Sequence, residues 1–180
     1  MKDKSLLIPR YRFSHLTDIT PEVLKSIGAK GVGLDIDNVI APDGTYNYTE
    51  GVKEWVRDIT GAGFPVTIIS NGIRPRVRAV SEYLDNLPYL HLSRKPSPRN
   101  LIKAARNMGI DIKELAMLGD QLFSDIKAAN RCGAIPVRID PLPEKNRYPR
   151  YYAWRAKKEA PYLKLFEEMN NIDSEKGEKR

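Results

Sequence analysis

Short apolar runs, each too brief for a core helix, alternate with segments of helical spacing between residues 20 and 139, and this alternation restricts the fold more than any other feature. Runs at 31–34, 64–69, 89–92, 115–118 and 135–139 read as strands, being rich in Val, Ile and Leu and bounded by turn-forming residues. Thr20 and Pro21 open a helix to about Ser26, a cap followed by proline in the first turn. Thr49 and Glu50 open a second, with Val52, Trp55, Val56 and Ile59 on one face, and a third carries Val77, Val80, Tyr83 and Leu84. Ser97 and Pro98 start a fourth that stops at Gly109, and a fifth runs from about Ser124 to Cys132. Such an order predicts an α/β fold, a parallel sheet flanked by helices. Residues 1–17 show no clear period and predict no element.

Residues 1–140 fit one domain, and 141–180 form a basic, aromatic extension without strand signals whose end, 170–180, is polar enough to predict disorder. The lone Cys132 excludes an intrachain disulfide, and no apolar run is long enough to span a bilayer. With no leader signal in the sequence, the expected location is intracellular. A formal charge of +7 and a pI near 9.4 favour an anionic partner: nucleic acid, acidic lipid or a phosphorylated substrate.

Several of the strands end on polar residues suited to one task. The first ends in Asp35, Ile36 and Asp37, the second in Ser70 and Asn71, and the fourth in Gly119 and Asp120, with Asp125 just beyond; Lys95 lies in a turn between the last two groups. In a parallel sheet these carboxyl ends share one edge, where open α/β sheets bind ligands. Singly, each residue also suits a turn, a helix cap or a solvated surface; jointly they make an ordered site. Gly28, Gly31 and Gly33 precede the first strand's end and open no helix, which excludes a dinucleotide fingerprint. His15 and His91 lack partners at metal-ligand spacing, and Cys132 lacks an activating pattern.

The segments DIDNVIAPDG, TIISNG, RKPSPRNLIKAARNMGI and MLGDQLFSDIKAANRCG resemble the four motifs of the haloacid dehalogenase-like (HAD) phosphohydrolases, specifically the YqeG-like branch of subfamily IIIA. The resemblance implies a Rossmann-like HAD core, an aspartate nucleophile and Mg²⁺. Carried onto this sequence, Asp35 is the nucleophile and Asp37 the general acid and base, Ser70, the Asn71 amide and Lys95 hold phosphate oxygens, and Asp35, the Asp37 carbonyl and Asp120 ligate the metal, with Asp125 binding through water or orienting the others. Nucleophilic attack by a carboxylate divides one hard displacement at phosphorus into two easier ones, and an oxygen-rich ligand set suits Mg²⁺. Val39 stands where many members have threonine.

Neither gap between motifs has room for a substantial cap domain, so a phosphate projecting from something large can enter. Between residues 74 and 106 there are eight Arg or Lys against two acids. Residues 147–158, from Arg147 to Lys158, hold five basic residues interleaved with Tyr148, Tyr151, Tyr152 and Trp154. That mixture suits an anionic membrane interface, single-stranded nucleic acid, or a tail packed on its own domain. Some relatives of the branch dephosphorylate phosphatidylglycerophosphate, so a phosphomonoesterase peripherally bound to anionic lipid is the leading expectation. An RNA- or ribosome-associated protein with a weak HAD site and a soluble sugar or nucleotide phosphatase are the alternatives.

Overall fold

The computed structural model describes residues 4–142 and 148–177, with side chains as far as residue 170. Six strands form one fully parallel sheet: β1 (Tyr11–Phe13), β2 (Gly31–Leu34), β3 (Val66–Ile69), β4 (Tyr89–Leu90), β5 (Leu115–Gly119) and β6 (Ile135–Ile139). Their order across the sheet is β1-β6-β5-β2-β3-β4. From β2 the chain moves outward to β3 and β4, then returns to β2's other side for β5 and β6. The direction therefore reverses between β2 and β5, and a crevice opens there at the carboxyl edge.

Helices α1 (Pro21–Ser26), α2 (Val52–Gly61) and α3 (Arg74–Tyr83) share one apolar layer with Val32, Leu34, Ile68, Leu118 and Val137. Helices α4 (Arg99–Met108) and α5 (Lys127–Cys132) cover Ile69, Leu115 and Met117. Alternate residues of β5 thus serve opposite layers, as a pleated strand with both faces covered requires. The α2 stripe Val52, Trp55, Val56 and Ile59 is buried throughout, at about 1.5–3 kcal/mol for each large side chain. Trp55 Nε1 also donates to the Ile19 carbonyl at 2.7 Å.

Gly31 and Gly33 are packing residues. A methyl group on Gly31 would lie 2.8 Å from Ile110 Cδ1 and Met108 Sδ, and one on Gly33 would lie 2.9 Å from Ile69 Cδ1. Their absent side chains let the α4 layer approach the central strand, which accounts for glycines there without a nucleotide.

Two expectations change. The first residues do contain a strand: β1 pairs with β6, and its three half-buried residues are too few to show a period. The segment from Ser124 begins earlier, as a π-helical turn Leu122–Ile126 leading into α5. The extension carries a helix, α6 (Pro149–Gly177). Pro161 lies inside α6, where it removes one helical hydrogen bond.

Candidate active site

The register of the sheet brings the site residues together. Leu34 lies opposite both Leu118 and Ile68, so Asp35 is level with Gly119 and Ile69, and Asp120 and Ser70 lie one residue further out. The Asp35 amide donates to the Leu118 carbonyl at 3.0 Å, which continues the ladder to the site's first residue. Gly119 is required for space: a methyl group there would overlap the Asp125 carboxylate. Asp125 comes back beneath the strand end through the π-helical turn and accepts from the Gln121 amide at 3.1 Å.

Lys95 approaches from the β4 side. Its amide donates to Asn71 Oδ1 at 2.7 Å, and Asn71 Nδ2 donates to its carbonyl at 3.2 Å. Leu92 and Arg94 adopt left-handed φ values of 46° and 51°, at a cost of about 1–3 kcal/mol each; that turn aims Lys95 inward. Its ammonium lies 2.7 Å from Asp35 Oδ1, 2.7 Å from Asp125 Oδ1 and 2.7 Å from the Ile69 carbonyl. The Lys95 side chain is 1% exposed and that of Asp125 0%.

Burial raises Asp35 well above the ordinary carboxylate range, and the like charge of Asp125 adds to this while Lys95 opposes it. Burial lowers Lys95, but Asp125 and Asp35 together outweigh it, so the lysine is raised and stays charged. Asp120 is pushed up to about 7, first by burial, with Arg155 pulling the other way. Carboxylate oxygens of Asp35, Asp120 and Asp125 lie within 4.8 Å of one another, and all three residues are buried. Asp120 Oδ1 is buried without a hydrogen-bond partner. A hard divalent cation matches three converging oxygen donors and an unpaired carboxylate oxygen, so these residues can hold a metal ion.

The carboxylate of Asp37 stands outside that cluster, and its Oδ1 accepts from Arg76 Nη2 at 2.6 Å and from the Gly44 amide at 3.4 Å. Both donors fall on Oδ1. Asn38, in a left-handed conformation with φ 59°, donates to Asp120 Oδ2 at 3.3 Å. Ser70 Oγ accepts from the Gly72 amide at 3.0 Å. Of the residues picked from sequence, Asp35, Lys95, Asp120 and Asp125 converge, Ser70 and Asn71 flank them, and Asp37 guards the rim. The Asn71 side chain is spent on holding the Lys95 turn.

The extension required a correction. Arg155 belongs to the segment expected to face a membrane, yet it is 4% exposed and its Nη2 lies 2.6 Å from Asp120 Oδ2. The Tyr152 hydroxyl donates to Asp43 Oδ2 at 2.7 Å, and Glu159 Oε1 accepts from the Leu122 amide at 2.9 Å. Two negative centres at the crevice, Asp120 and Asp43, draw this face of α6 onto the domain. Arg147 lies outside the described residues.

Arg76, Tyr152, Arg155 and Glu159 carry no motif, and Asn38, inside the first motif segment, has no role assigned from sequence. Arg76 did leave a signal: with Arg74 it places positive charge in the first turn of α3, where the helix dipole disfavours it. The others leave none, because their partners are distant in sequence.

A buried lysine and three buried carboxylates thus meet at the switch point of a parallel sheet, the place where open α/β sheets bind ligands. A family model for haloacid dehalogenase-like hydrolases matches residues 11–133, and the chain belongs to that family; it is a phosphatase. It is 32% identical over 139 residues to the Bacillus subtilis protein named "Probable phosphatase YqeG", covering 77% of this chain and 80% of that one. It is 25% identical over 151 residues to phosphatidylglycerophosphate phosphatase 1, chloroplastic/mitochondrial, of Arabidopsis thaliana, covering 79% of this chain and 43% of the plant protein. The crystal structure of a HAD family hydrolase from Streptomyces avermitilis shares the fold with a TM-score of 0.50 at 19% identity, over 66% of this chain and 72% of that one.

Proposed function

We propose that the protein is a Mg²⁺-dependent phosphomonoesterase that works through an aspartyl-phosphate on Asp35, and that it removes the terminal phosphate of phosphatidylglycerophosphate at a membrane surface. The observation that carries the chemistry is the Asp35–Lys95–Asp125 ion-pair bridge at the switch point. Asp35 attacks phosphorus, the bond from phosphorus to the ester oxygen breaks, and Asp37 gives that oxygen its proton. Asp37 then takes a proton from water, the water oxygen attacks phosphorus, and the Asp35–phosphorus bond breaks to release orthophosphate. Lys95, Ser70 and the Asn71 amide hold the equatorial oxygens and offset their charge. A divalent cation on Asp35, the Asp37 carbonyl, Asp120 and Asp125 supplies Lewis-acid charge neutralisation when bound.

Two features support a lipid substrate. Only α2 and its preceding loop separate β2 from β3, and only α3 separates β3 from β4, so nothing of cap size covers the crevice. Exposed apolar side chains also follow the carboxyl ends of successive strands: Tyr46 after β2, Ile73 after β3, Leu92 after β4, Phe123 after β5, and Tyr151 and Trp154 on α6. Exposed Arg74, Arg94 and Arg150 lie among them, and that combination suits an anionic bilayer interface. No helix among the described residues is long and apolar enough to cross a membrane.

The test is Mg²⁺-dependent phosphate release from phosphatidylglycerophosphate in mixed micelles, beside a panel of soluble phosphate esters. Preferential lipid turnover, abolished in Asp35→Asn, is expected. Turnover of soluble esters alone would overturn the lipid reading, and no turnover of any ester would overturn the mechanism.

A further inference from the structure

Asp120 divides its two oxygens between two environments. Oδ2 accepts from Arg155 Nη2 at 2.6 Å and from Asn38 Nδ2 at 3.3 Å, whereas Oδ1 is buried with no partner. Two donors on one oxygen fix the rotation of a carboxylate about its Cβ–Cγ bond, and so fix the direction of the other oxygen. Arg155 is itself held. Its guanidinium lies 4.8 Å from the centroid of the Tyr152 ring, and its Nε lies 3.9 Å from Glu159 Oε1. Glu159 in turn lies 3.6 Å from Arg138 Nη2 through Oε2 and is anchored through Oε1 to the Leu122 amide. The guanidinium is thus buried, 4% exposed, among Asp120, Glu159 and the Tyr152 ring.

We propose that Arg155 is a positioning residue for the metal site, holding Asp120 Oδ2 so that Oδ1 faces Asp35 and Asp125 as a ligand. This rests on the reading of those three carboxylates as the metal site. The partners that orient a ligating carboxylate matter nearly as much as the ligand itself. In this enzyme one such partner comes from α6, outside the segments that carry the four motifs, so the extension completes the catalytic centre. An arginine suits the task better than a lysine because its fork addresses Asp120 and Glu159 at once.

The experiment measures Mn²⁺ affinity directly, by electron paramagnetic resonance of the free ion, with the full chain and no substrate. Arg155→Gln is expected to weaken Mn²⁺ binding by about 10–100-fold, and Arg155→Lys, which keeps the charge and one donor, by roughly threefold. Tyr152→Phe, which loosens α6 at Asp43 without touching Asp120, is expected to keep wild-type affinity even where its melting temperature falls. Wild-type or tighter affinity in folded Arg155→Gln would overturn the proposal, tighter binding making Arg155 a competitor of the cation. If that variant does not fold, undiminished affinity in Arg155→Lys overturns it instead. Asp120→Asn separates the two claims: if it leaves Mn²⁺ affinity unchanged, the metal-site reading fails; if it abolishes binding while Arg155→Gln does not weaken it, only the role of Arg155 fails.

Discussion

Replacing Lys95 with methionine keeps most of the side-chain volume and removes only the charge and its three contacts. The ammonium lies 2.7 Å from Asp35, Asp125 and the Ile69 carbonyl, in a site closed to solvent. Without it, two carboxylates with no compensating cation face each other. Breaking a buried ion pair by removing one partner costs about 3–5 kcal/mol. The stranded Ile69 carbonyl adds to this, and protonation of one carboxylate relieves part of it, so the net cost stays in that range. For a chain of 180 residues, at about 2–4 °C per kcal/mol, the melting temperature should fall by roughly 6–20 °C. The assay is thermal unfolding by circular dichroism with a chelator at about pH 8 and pH 5, then with Mg²⁺. The loss should be smaller at the lower pH, where Asp35, raised by burial, takes up a proton, and smaller with Mg²⁺, which substitutes for the missing charge. Phosphatase turnover should fall by about 10²–10³. A melting temperature within about 2 °C of wild type at pH 8 with chelator would refute the reasoning.

Gly119→Ala should lower turnover as severely as a direct site mutation at a stability cost of about 1–3 kcal/mol, because the new methyl group displaces Asp125; unchanged kcat would contradict this. In the metal-free protein the Asp120 pKa of about 7 lies above its unfolded value, so between about pH 4 and pH 7 the folded state holds a proton that the unfolded state has lost. Stability therefore falls as pH rises through that window, and melts in chelator should show a shallower slope for Asp120→Asn; an identical slope would contradict the assignment. Replacing Tyr151 and Trp154 with serine, which leaves the Arg155 face of α6 intact, should cut co-sedimentation with anionic vesicles by about tenfold, and undiminished sedimentation would remove the membrane-facing rim from the account.

The core and the cluster at the strand ends were legible because each depends on local pattern. A buried strand reads as an apolar run, and Asp35 and Asp120 are where such runs end. The sheet then brings the ends together by register alone, since Leu34 opposes Leu118. What was illegible depends on contact across distance. Strand β1 contributes only Tyr11, Arg12 and Phe13 at an edge, too little for a period. Arg155 looked like surface charge because basic residues near aromatics are usually solvated, and only the folded chain shows it against Asp120, which lies 35 residues away. Arg76 was hidden in the same way, its tie to Asp37 spanning 39 residues.

The most direct test of the central claim is to quench the enzyme in acid during turnover and search by mass spectrometry for a phosphoryl group on the peptide containing Asp35. The mechanism expects that adduct in wild type, its absence in Asp35→Asn together with loss of phosphate release, and altered accumulation in Asp37→Asn as proton transfer slows. Phosphate release that persists in Asp35→Asn would contradict nucleophilic catalysis by this residue.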